Sequence, residues 1–188
     1  IQSDRWWGTV DAIFAAPSPL IWIIGGRTIW NAFIGIVNGL FVLVVAMLVF
    51  DMPLQVHDLP LFLLAFALTL LSLAALGMLF SAAFVLTRSA QILTNGLEYP
   101  IYVGTGSMFP IALLPYWTNP LSLSLAPTWG IDAIRHAALG TYEHAFTTGY
   151  WGSILAMVGL ALLYLTVSIW LYKAVDHRAR KTANLMRY

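Results

Sequence analysis

The sequence predicts an all-α fold, a polytopic α-helical membrane protein. Of its 188 residues, 60% are hydrophobic and 9% are charged, and the mean hydropathy is +0.82. A soluble domain averages about 25% charged and about 45–50% apolar residues, so this chain lacks the polar surface that a water-facing globule needs. Long charge-free stretches recur along it, each with the roughly 20 apolar residues that a helix needs to cross a bilayer.

Charge and cysteine content exclude several classes of function. The net charge is +1 with 9 lysines and arginines, so the chain lacks the excess of positive charge that is typical of a nucleic-acid-binding protein. The chain has no cysteine, which excludes disulfides, thiolate metal sites and cysteine nucleophiles. Lys173 and Lys181, its two lysines, do not follow the glycine that a phosphate-binding P-loop requires.

The N-terminal stretch, residues 1–20, is too short and too polar to cross a membrane. Trp6, Val10 and Phe14 fall on one side at helical spacing, and Pro17 ends the pattern. This predicts an amphipathic helix lying at the membrane interface.

Four spans are predicted from the distance between charged residues, because a charge at mid-bilayer costs about 2.5–3.5 kcal/mol. They cover residues 28–50, 60–86, 89–107 and 150–172. The first two form a helical hairpin around the turn at Asp51–Pro60. In the last, Trp151 and Trp170 lie about 28 Å apart, which suits a pair of aromatic belts at the two interfaces.

The third predicted span is the most polar of the four. Its polar residues share one helix face, and Glu98 lies near the middle of the bilayer, where a carboxylate is by default a functional candidate. The face either lines a translocation path or is structural, with Glu98 protonated or bonded to a neighbouring helix. Its candidate residues are Gln91, Thr94, Glu98 and Tyr102.

The first span carries a stripe of small and amide side chains, with Asn31, Gly35 and Asn38 at helical spacing and Gly35 and Gly39 forming a Gly-x-x-x-Gly pair. Small residues let helices approach closely, and asparagine bonds across such a contact. We expect helix packing here, with a dimer seam or a cavity wall as the alternative for Asn31 and Asn38.

Residues 108–148 are apolar but are interrupted by Pro110, Pro115, Pro120 and Pro127, which break any single helix. Irregular backbone at membrane depth must be buried in protein or line a wet cavity. We therefore expect two short re-entrant or outer helices. These would cover roughly residues 112–124 and 127–139, the second ending at Gly140.

Basic residues predict the orientation. They concentrate in the tail, residues 173–188, and before the first span, so the positive-inside rule places both visible ends in the cytoplasm of a plasma (inner) membrane. The tail would also contact anionic membrane lipid.

Two motifs resemble the permease subunits of type-two ABC transporters of the exporter group. Those permeases carry an Arg, a Gly-Thr pair, an acidic residue and a Pro in a cytoplasmic loop, and the matching positions are Arg5, Gly8, Thr9, Asp11 and Pro17. A small-residue turn, spaced prolines and an Arg follow the third span in the family, matched here by Gly104-Thr105-Gly106, Pro110, Pro115, Pro127 and Arg135.

The resemblance implies a permease with six spans, so the first two would be missing and further residues would precede Ile1. It implies that Arg5, Gly8, Thr9 and Asp11 form a coupling helix on a separate ATP-binding subunit, which would hold ATP and Mg. It further implies a second permease subunit in a homodimer or heterodimer. The cargo would be a drug, lipid or glycan, under an outer lid containing Pro110, Pro115, Pro127 and Arg135. No cofactor is expected on this chain, and no catalytic residue.

Two other classes of function remain open. One is an ATP-independent channel or ion-coupled carrier that uses Glu98 as its ion or proton site. The other is a membrane enzyme at the outer surface, built from His57, Asp58, Asp132, His136, Glu143 and His144. These six lack any recognised metal-ligand spacing.

Overall fold

The computed structural model describes residues 20–50, 56–85, 96, 99–142 and 146–182, and within these it is all helix, turn and coil. Five α-helices have defined bounds, named here α1 to α5 in chain order. They are α1 (Leu20–Val49), α2 (Leu59–Val85), α3 (Asn119–Ser124), α4 (Ala126–Leu139) and α5 (Gly149–Thr182). Two single 3-10 turns, Ile111–Leu113 and Tyr116–Thr118, precede α3.

Three of these helices are long and apolar enough to cross a membrane, at Trp22–Val49, Leu59–Ala82 and Gly149–Ala174. They fall on the first, second and fourth predicted spans. Large apolar side chains on their outer faces are exposed, among them Trp151 and Trp170, as expected for helices surrounded by lipid. The protein is therefore an all-α, multi-pass membrane protein.

The third predicted span, residues 89–107, lies mostly outside the described residues. Residues 99–104 are helical, and the chain turns at Thr105 and Gly106. Gln91, Thr94 and Glu98 lie outside the described part of the chain, as do residues 1–19 with Arg5, Gly8, Thr9 and Asp11.

The first membrane helix starts earlier than the predicted span. α1 begins at Leu20 rather than at residue 28, so Arg27 lies within the helix. The predicted span started only after Arg27, because a charge in the hydrocarbon is costly, but a long basic side chain near a helix end extends its charge back to the interface. At the other end of the chain, α5 continues to Thr182, ten residues beyond the predicted end at 172.

The core forms where α4 packs between α2 and α5. Its buried side chains are mostly small or aromatic, which lets three helices approach closely. They include Ala65, Ala75, Ala133, Ala137, Tyr150, Ile154, Met157 and Tyr164. Helix α1 packs along α2, and its Ile24 joins Ala82 and Tyr172 in a second small cluster.

The two ends of the helix bundle are named here the basic end and the loop end. The basic end contains the start of α1 with Arg27 and the last turns of α5 with Lys173. The loop end contains the start of α2 and the link between α4 and α5. There, the backbone N–H groups of His57 and Asp58 donate to the carbonyls of Ala138 and Ala137, at 3.1 and 3.0 Å, which ends α4 against the start of α2.

The segment before α4 differs from the single helix predicted over residues 112–124. It consists of two 3-10 turns, each opened by a proline, followed by the six-residue α3. Pro115 has no N–H, and its ring excludes the carbonyl four residues earlier, so the helix cannot run through it. Helix α4 covers 126–139, and Gly140 follows at φ 74°, a left-handed conformation that glycine adopts without strain.

Candidate functional site

Helix α4 is inserted deep between two membrane helices. A Cβ on Gly130 of α4 would lie 2.8 Å from Sδ of Met157 and closer still to Oγ1 of Thr69, so α4 passes in backbone contact with both neighbours. Thr69 lies ten residues after Leu59, about 15 Å from the loop end. Because α4 starts four residues before Gly130, its first turn lies about 20 Å from the loop end.

The start of α4 is held by the phenol of Tyr164. The hydroxyl accepts the N–H of Ala126 at 3.2 Å and donates to the carbonyl of Ser124. The first N–H groups of a helix have no partner within the helix, and lipid offers none. Pro127, in the first turn, has no N–H to satisfy. Tyr164 thus supplies the polar contact that lets a helix begin at membrane depth.

A buried carboxylate ties α4 to the chain that follows it. Asp132 is 4% exposed. Its oxygens accept hydrogen bonds from the hydroxyl of Ser153 at 2.8 Å, from the N–H of Phe146 at 3.3 Å and from the hydroxyl of Tyr142. Burial, followed by the hydrogen bond and the negative charge of Asp132, raises the pKa of Tyr142 well above its usual value, which keeps this donor protonated. The carboxylate therefore joins α4, the following loop and α5.

Arg135 fastens the turn at residues 104–106 to α4. Its Nη2 donates to the carbonyl of Gly106 at 2.6 Å. Gly106 has φ 74°, and a Cβ there would lie 2.9 Å from Cγ1 of Ile111, so both conformation and space require glycine. The segment 106–140 thus leaves the loop end, descends through the 3-10 turns and α3, and returns as α4.

A cavity of about 400 Å³ opens at the loop end. Its lining includes His57, Asp58, His136 and Trp151, and Nε2 of His57 lies 3.9 Å from Oδ2 of Asp58, both side chains being largely exposed. In the described ranges, no three His, Cys, Asp or Glu side chains approach closely enough to hold a metal ion. Glu143 and His144 of the hypothetical outer site lie outside those ranges.

On α1, the two glycines of the Gly-x-x-x-Gly pair contact α2, whereas the two asparagines do not. A Cβ on Gly39 would lie 2.7 Å from Cζ of Phe66, and one on Gly35 would lie 3.8 Å from Leu70, so both glycines face α2. Asn31 and Asn38 lie beside that contact and are exposed.

Comparison with protein families gives one match. Residues 8–170 match the model described as ABC-2 family transporter protein, which is most of the chain. The chain belongs to the ABC-2 transporter family. It is therefore a membrane-embedded subunit of a transporter, as the two sequence motifs predicted. Searches of curated proteins and of solved structures find no match.

In this ABC-2 transporter subunit, the predicted lid residues lie on the two arms of the segment 106–140. Pro110 and Pro115 open the 3-10 turns on the way down, and Pro127 and Arg135 lie on the returning α4. Tyr102, predicted to line a path, is 45% exposed. Its carbonyl accepts hydrogen bonds from the hydroxyls of Thr105 and Ser107.

The residues that hold α4 between α2 and α5 of the transporter subunit could not be identified as a group from the sequence. Tyr164 stands in an apolar span and Gly130 in a short helix, and neither belongs to a spaced motif. A phenol in the middle of a charge-free span is itself a signal, because a buried Tyr hydroxyl requires a partner. The partner, a helix start 38 residues earlier in the chain, is visible only in three dimensions.

Proposed function

We propose that this chain is the permease subunit of an ATP-driven exporter and forms the translocation path for a drug, lipid or glycan-type substrate. ATP and Mg would bind a separate ATP-binding subunit, and a second permease subunit would complete the path. The observation that carries the proposal is the family match over residues 8–170. The absence of a P-loop in the sequence is consistent with nucleotide binding by another chain.

The interfacial helix over residues 1–20 would transmit the motion of the ATP-binding subunit. Arg5, Gly8, Thr9 and Asp11 occupy the family's coupling positions, and the helix directly precedes α1. Positive-inside counting places this helix, with both visible chain ends, in the cytoplasm of the plasma (inner) membrane. In this orientation the loop end faces outward.

The re-entrant segment would act as the outer lid. Helix α4 packs against both α2 and α5. Asp132 attaches it to the loop that follows and to α5, and Arg135 attaches it to the turn at residues 104–106. Because these contacts are closely packed, a tilt of α2 relative to α5 changes the position of α4 as a unit. The lid would thereby follow the membrane helices during alternating access. Asn31, Asn38 and the stripe of Gln91, Thr94, Glu98 and Tyr102 would line the path or the seam.

The test is a mild-detergent purification of the full-length protein from its native membrane, with identification of co-purifying chains and an ATPase assay. We expect a P-loop subunit in the complex. The double variant Arg5→Gln with Asp11→Asn, which preserves the net charge, should reduce co-purification or coupled ATPase activity at least tenfold. The matched control is Lys173→Gln with Asp58→Asn, which removes the same charges elsewhere and should leave both unchanged.

Two results would contradict the proposal. One is a protein that purifies without a P-loop subunit and conducts ions or solute in liposomes without ATP, which would favour a channel or carrier using Glu98. The other is an equal loss of ATPase activity in the control variant, which would remove the coupling role from residues 5 and 11.

A further inference from the structure

The junction between α3 and α4 contains buried polar atoms that lack a partner. Leu125 is the single residue between the two helices. On either side of it, Ser122 is 0% and Thr128 is 1% exposed. Neither hydroxyl has a hydrogen-bond partner within the described part of the chain, and the same holds for Oδ1 of Asn119, which is also buried.

Other buried hydroxyls of the bundle are satisfied by their own helices. They donate to a carbonyl three or four positions earlier, at 2.6 to 2.8 Å, and the examples are Thr69, Ser72 and Ser168. Thr128 differs because both of those carbonyls are already used. The carbonyl of Ser124 accepts the hydroxyl of Tyr164, and the carbonyl of Leu125 accepts the N–H of Thr128 itself at 3.1 Å. The junction therefore deprives this threonine of its usual partner.

The three oxygen atoms belong to one small region of the fold. Asn119 and Ser122 are three residues apart on α3 and so share one face of that helix. The carbonyl of Ser122 accepts the N–H of Leu125 at 3.1 Å, and the carbonyl of Leu125 accepts the N–H of Thr128 at 3.1 Å. Two tight turns, each spanning less than about 7 Å, thus connect Ser122 to Thr128.

This region lies deep in the membrane. The first turn of α4 is about 20 Å from the loop end, which is beyond the middle of a hydrocarbon layer of about 30 Å. Lipid tails supply neither donors nor acceptors at this depth, so a buried hydroxyl without a partner destabilises the fold. A small polar ligand at the junction removes that cost.

The chemistry of the junction favours a neutral ligand. An anion needs donors, but the N–H groups of Ala126 and Thr128 are already bonded, and Pro127 between them has none. A cation in the membrane interior needs a negative charge beside it, and Asp132, one turn further along α4, is already bonded to three donors. Water is uncharged and both donates and accepts, so it suits one amide oxygen and two hydroxyls.

We infer that internal water binds at the junction of α3 and α4, held by Asn119, Ser122 and Thr128. A water molecule that donates to Oδ1 of Asn119 and to one hydroxyl, and accepts from the other hydroxyl, has the three hydrogen bonds typical of buried water. The start of α4 is then satisfied in two ways, with the phenol of Tyr164 bonded to the backbone and water bonded to the side chains. The site does not depend on the export function proposed above.

The experiment is X-ray hydroxyl-radical footprinting of the full-length protein, purified with its natural partners. Radiolysis of bound water oxidises the side chains beside it, so Leu125 should be oxidised although it is only 8% exposed. Leu76 of α2 is the matched control, because it is the same residue type and is 5% exposed. We expect at least about fivefold more oxidation at Leu125 than at Leu76. This comparison needs no substitution, so it gives an answer even if a variant fails to fold.

Two variants remove the hydroxyls with little change of shape. Thr128→Val and Ser122→Ala should each lower the oxidation of Leu125 at least about fivefold. Because the bound water loses a partner, each should also lower the melting temperature by at least about 2 °C. The matched controls are Thr166→Val and Ser124→Ala, whose hydroxyls are exposed and donate to carbonyls of their own helices. Both readouts should be unchanged in the controls.

Three outcomes would overturn the inference. Equal oxidation of Leu125 and Leu76 would show that the junction is dry. A higher melting temperature in Thr128→Val or Ser122→Ala would show the same, because removing an unpartnered hydroxyl from a dry site stabilises a protein. Oxidation of Leu125 that is unchanged in both variants would mean that these hydroxyls do not hold the water.

Discussion

Replacing Gly130 by alanine should destabilise the protein, because α4 has no space for a methyl group at this position. The added Cβ would lie 2.8 Å from Cγ2 of Thr69 and 2.8 Å from Sδ of Met157, with Oγ1 of Thr69 nearer still. Ordinary contacts need about 3.5–4.0 Å, so the neighbouring atoms must move by roughly 1 Å. Thr69 is buried and short, and its hydroxyl is bound to the carbonyl of Ala65 at 2.6 Å, so its side chain cannot turn away without losing that bond.

The expected cost is that of overpacking a core, about 1–3 kcal/mol, which corresponds to roughly a five- to 150-fold change in the unfolding equilibrium. The measurement is the thermal stability of the purified protein in detergent, with the loss of the monodisperse species on heating as the readout. Gly159→Ala is the matched control, because its methyl group meets nothing within 4 Å on the same kind of membrane helix. It should be at least as stable as the original protein.

A second substitution identifies the clash as the cause. Thr69→Ala removes two of the three atoms closest to the new methyl group and leaves Sδ of Met157, so the double variant with Gly130→Ala should recover at least about 1 kcal/mol relative to the sum of the two single effects. If Gly130→Ala is as stable as Gly159→Ala, or if the effects of Gly130→Ala and Thr69→Ala simply add, the close packing of α4 against α2 is wrong.

Three further substitutions test the other attachments of α4 and of the turn at Gly106. Tyr164→Phe removes the hydroxyl at the start of α4 and should cost about 1–3 kcal/mol, since buried backbone groups lose their partner. Arg135→Met retains the length of the side chain but loses the bond to Gly106, so hydrogen exchange should accelerate in that turn. Burial and Asp132 raise the pKa of Tyr142, so its contribution to stability is complete below the unfolded pKa of about 10 and is lost as the pH rises from there towards the higher pKa of the folded state. Tyr142→Phe should flatten this alkaline decline in a stability profile.

Controls for Tyr164→Phe and Arg135→Met use an exposed tyrosine and an exposed lysine. Tyr99→Phe, at a side chain that is 71% exposed, should leave stability unchanged and so isolate the loss of a buried hydroxyl at Tyr164. Lys173→Met removes a charge without disturbing the turn at Gly106. A Tyr142→Phe protein with the original alkaline profile would contradict the hydrogen bond to Asp132.

Much of the architecture could be predicted from the sequence because membrane insertion is governed by local composition. Charge-free length predicted α1, α2 and α5, and the prolines predicted that the chain between residues 108 and 148 is not one helix. The Gly140 end of α4 was predictable because only a glycine accepts φ 74° without strain. The precise start of α1 was not, since Arg27 can lie inside a helix when its charge reaches the interface.

The family was also accessible from the sequence, because its motifs are short and ordered along the chain. The positions Arg5 to Pro17 and Gly104 to Arg135 led to the ABC-2 family, and the match over residues 8–170 confirms it. The coupling and path residues stay predictions, since Arg5, Asp11, Gln91, Thr94 and Glu98 lie outside the described residues.

The tertiary structure alone decided how α4 is seated and where α1 separates from α2. In the sequence, Asp132 stands in the short helix predicted over residues 127–139 without an evident partner, whereas in the structure it is buried and its three donors come from residues 10 to 21 positions later. Tyr164 and Ala126 are 38 residues apart, and Arg27 of α1 and Gly77 of α2 line the same cleft between these two helices. The pattern of apolar residues in the sequence predicts which helices lie in lipid. Contacts between helices depend instead on side-chain shape and on the few buried polar atoms that must form hydrogen bonds with one another.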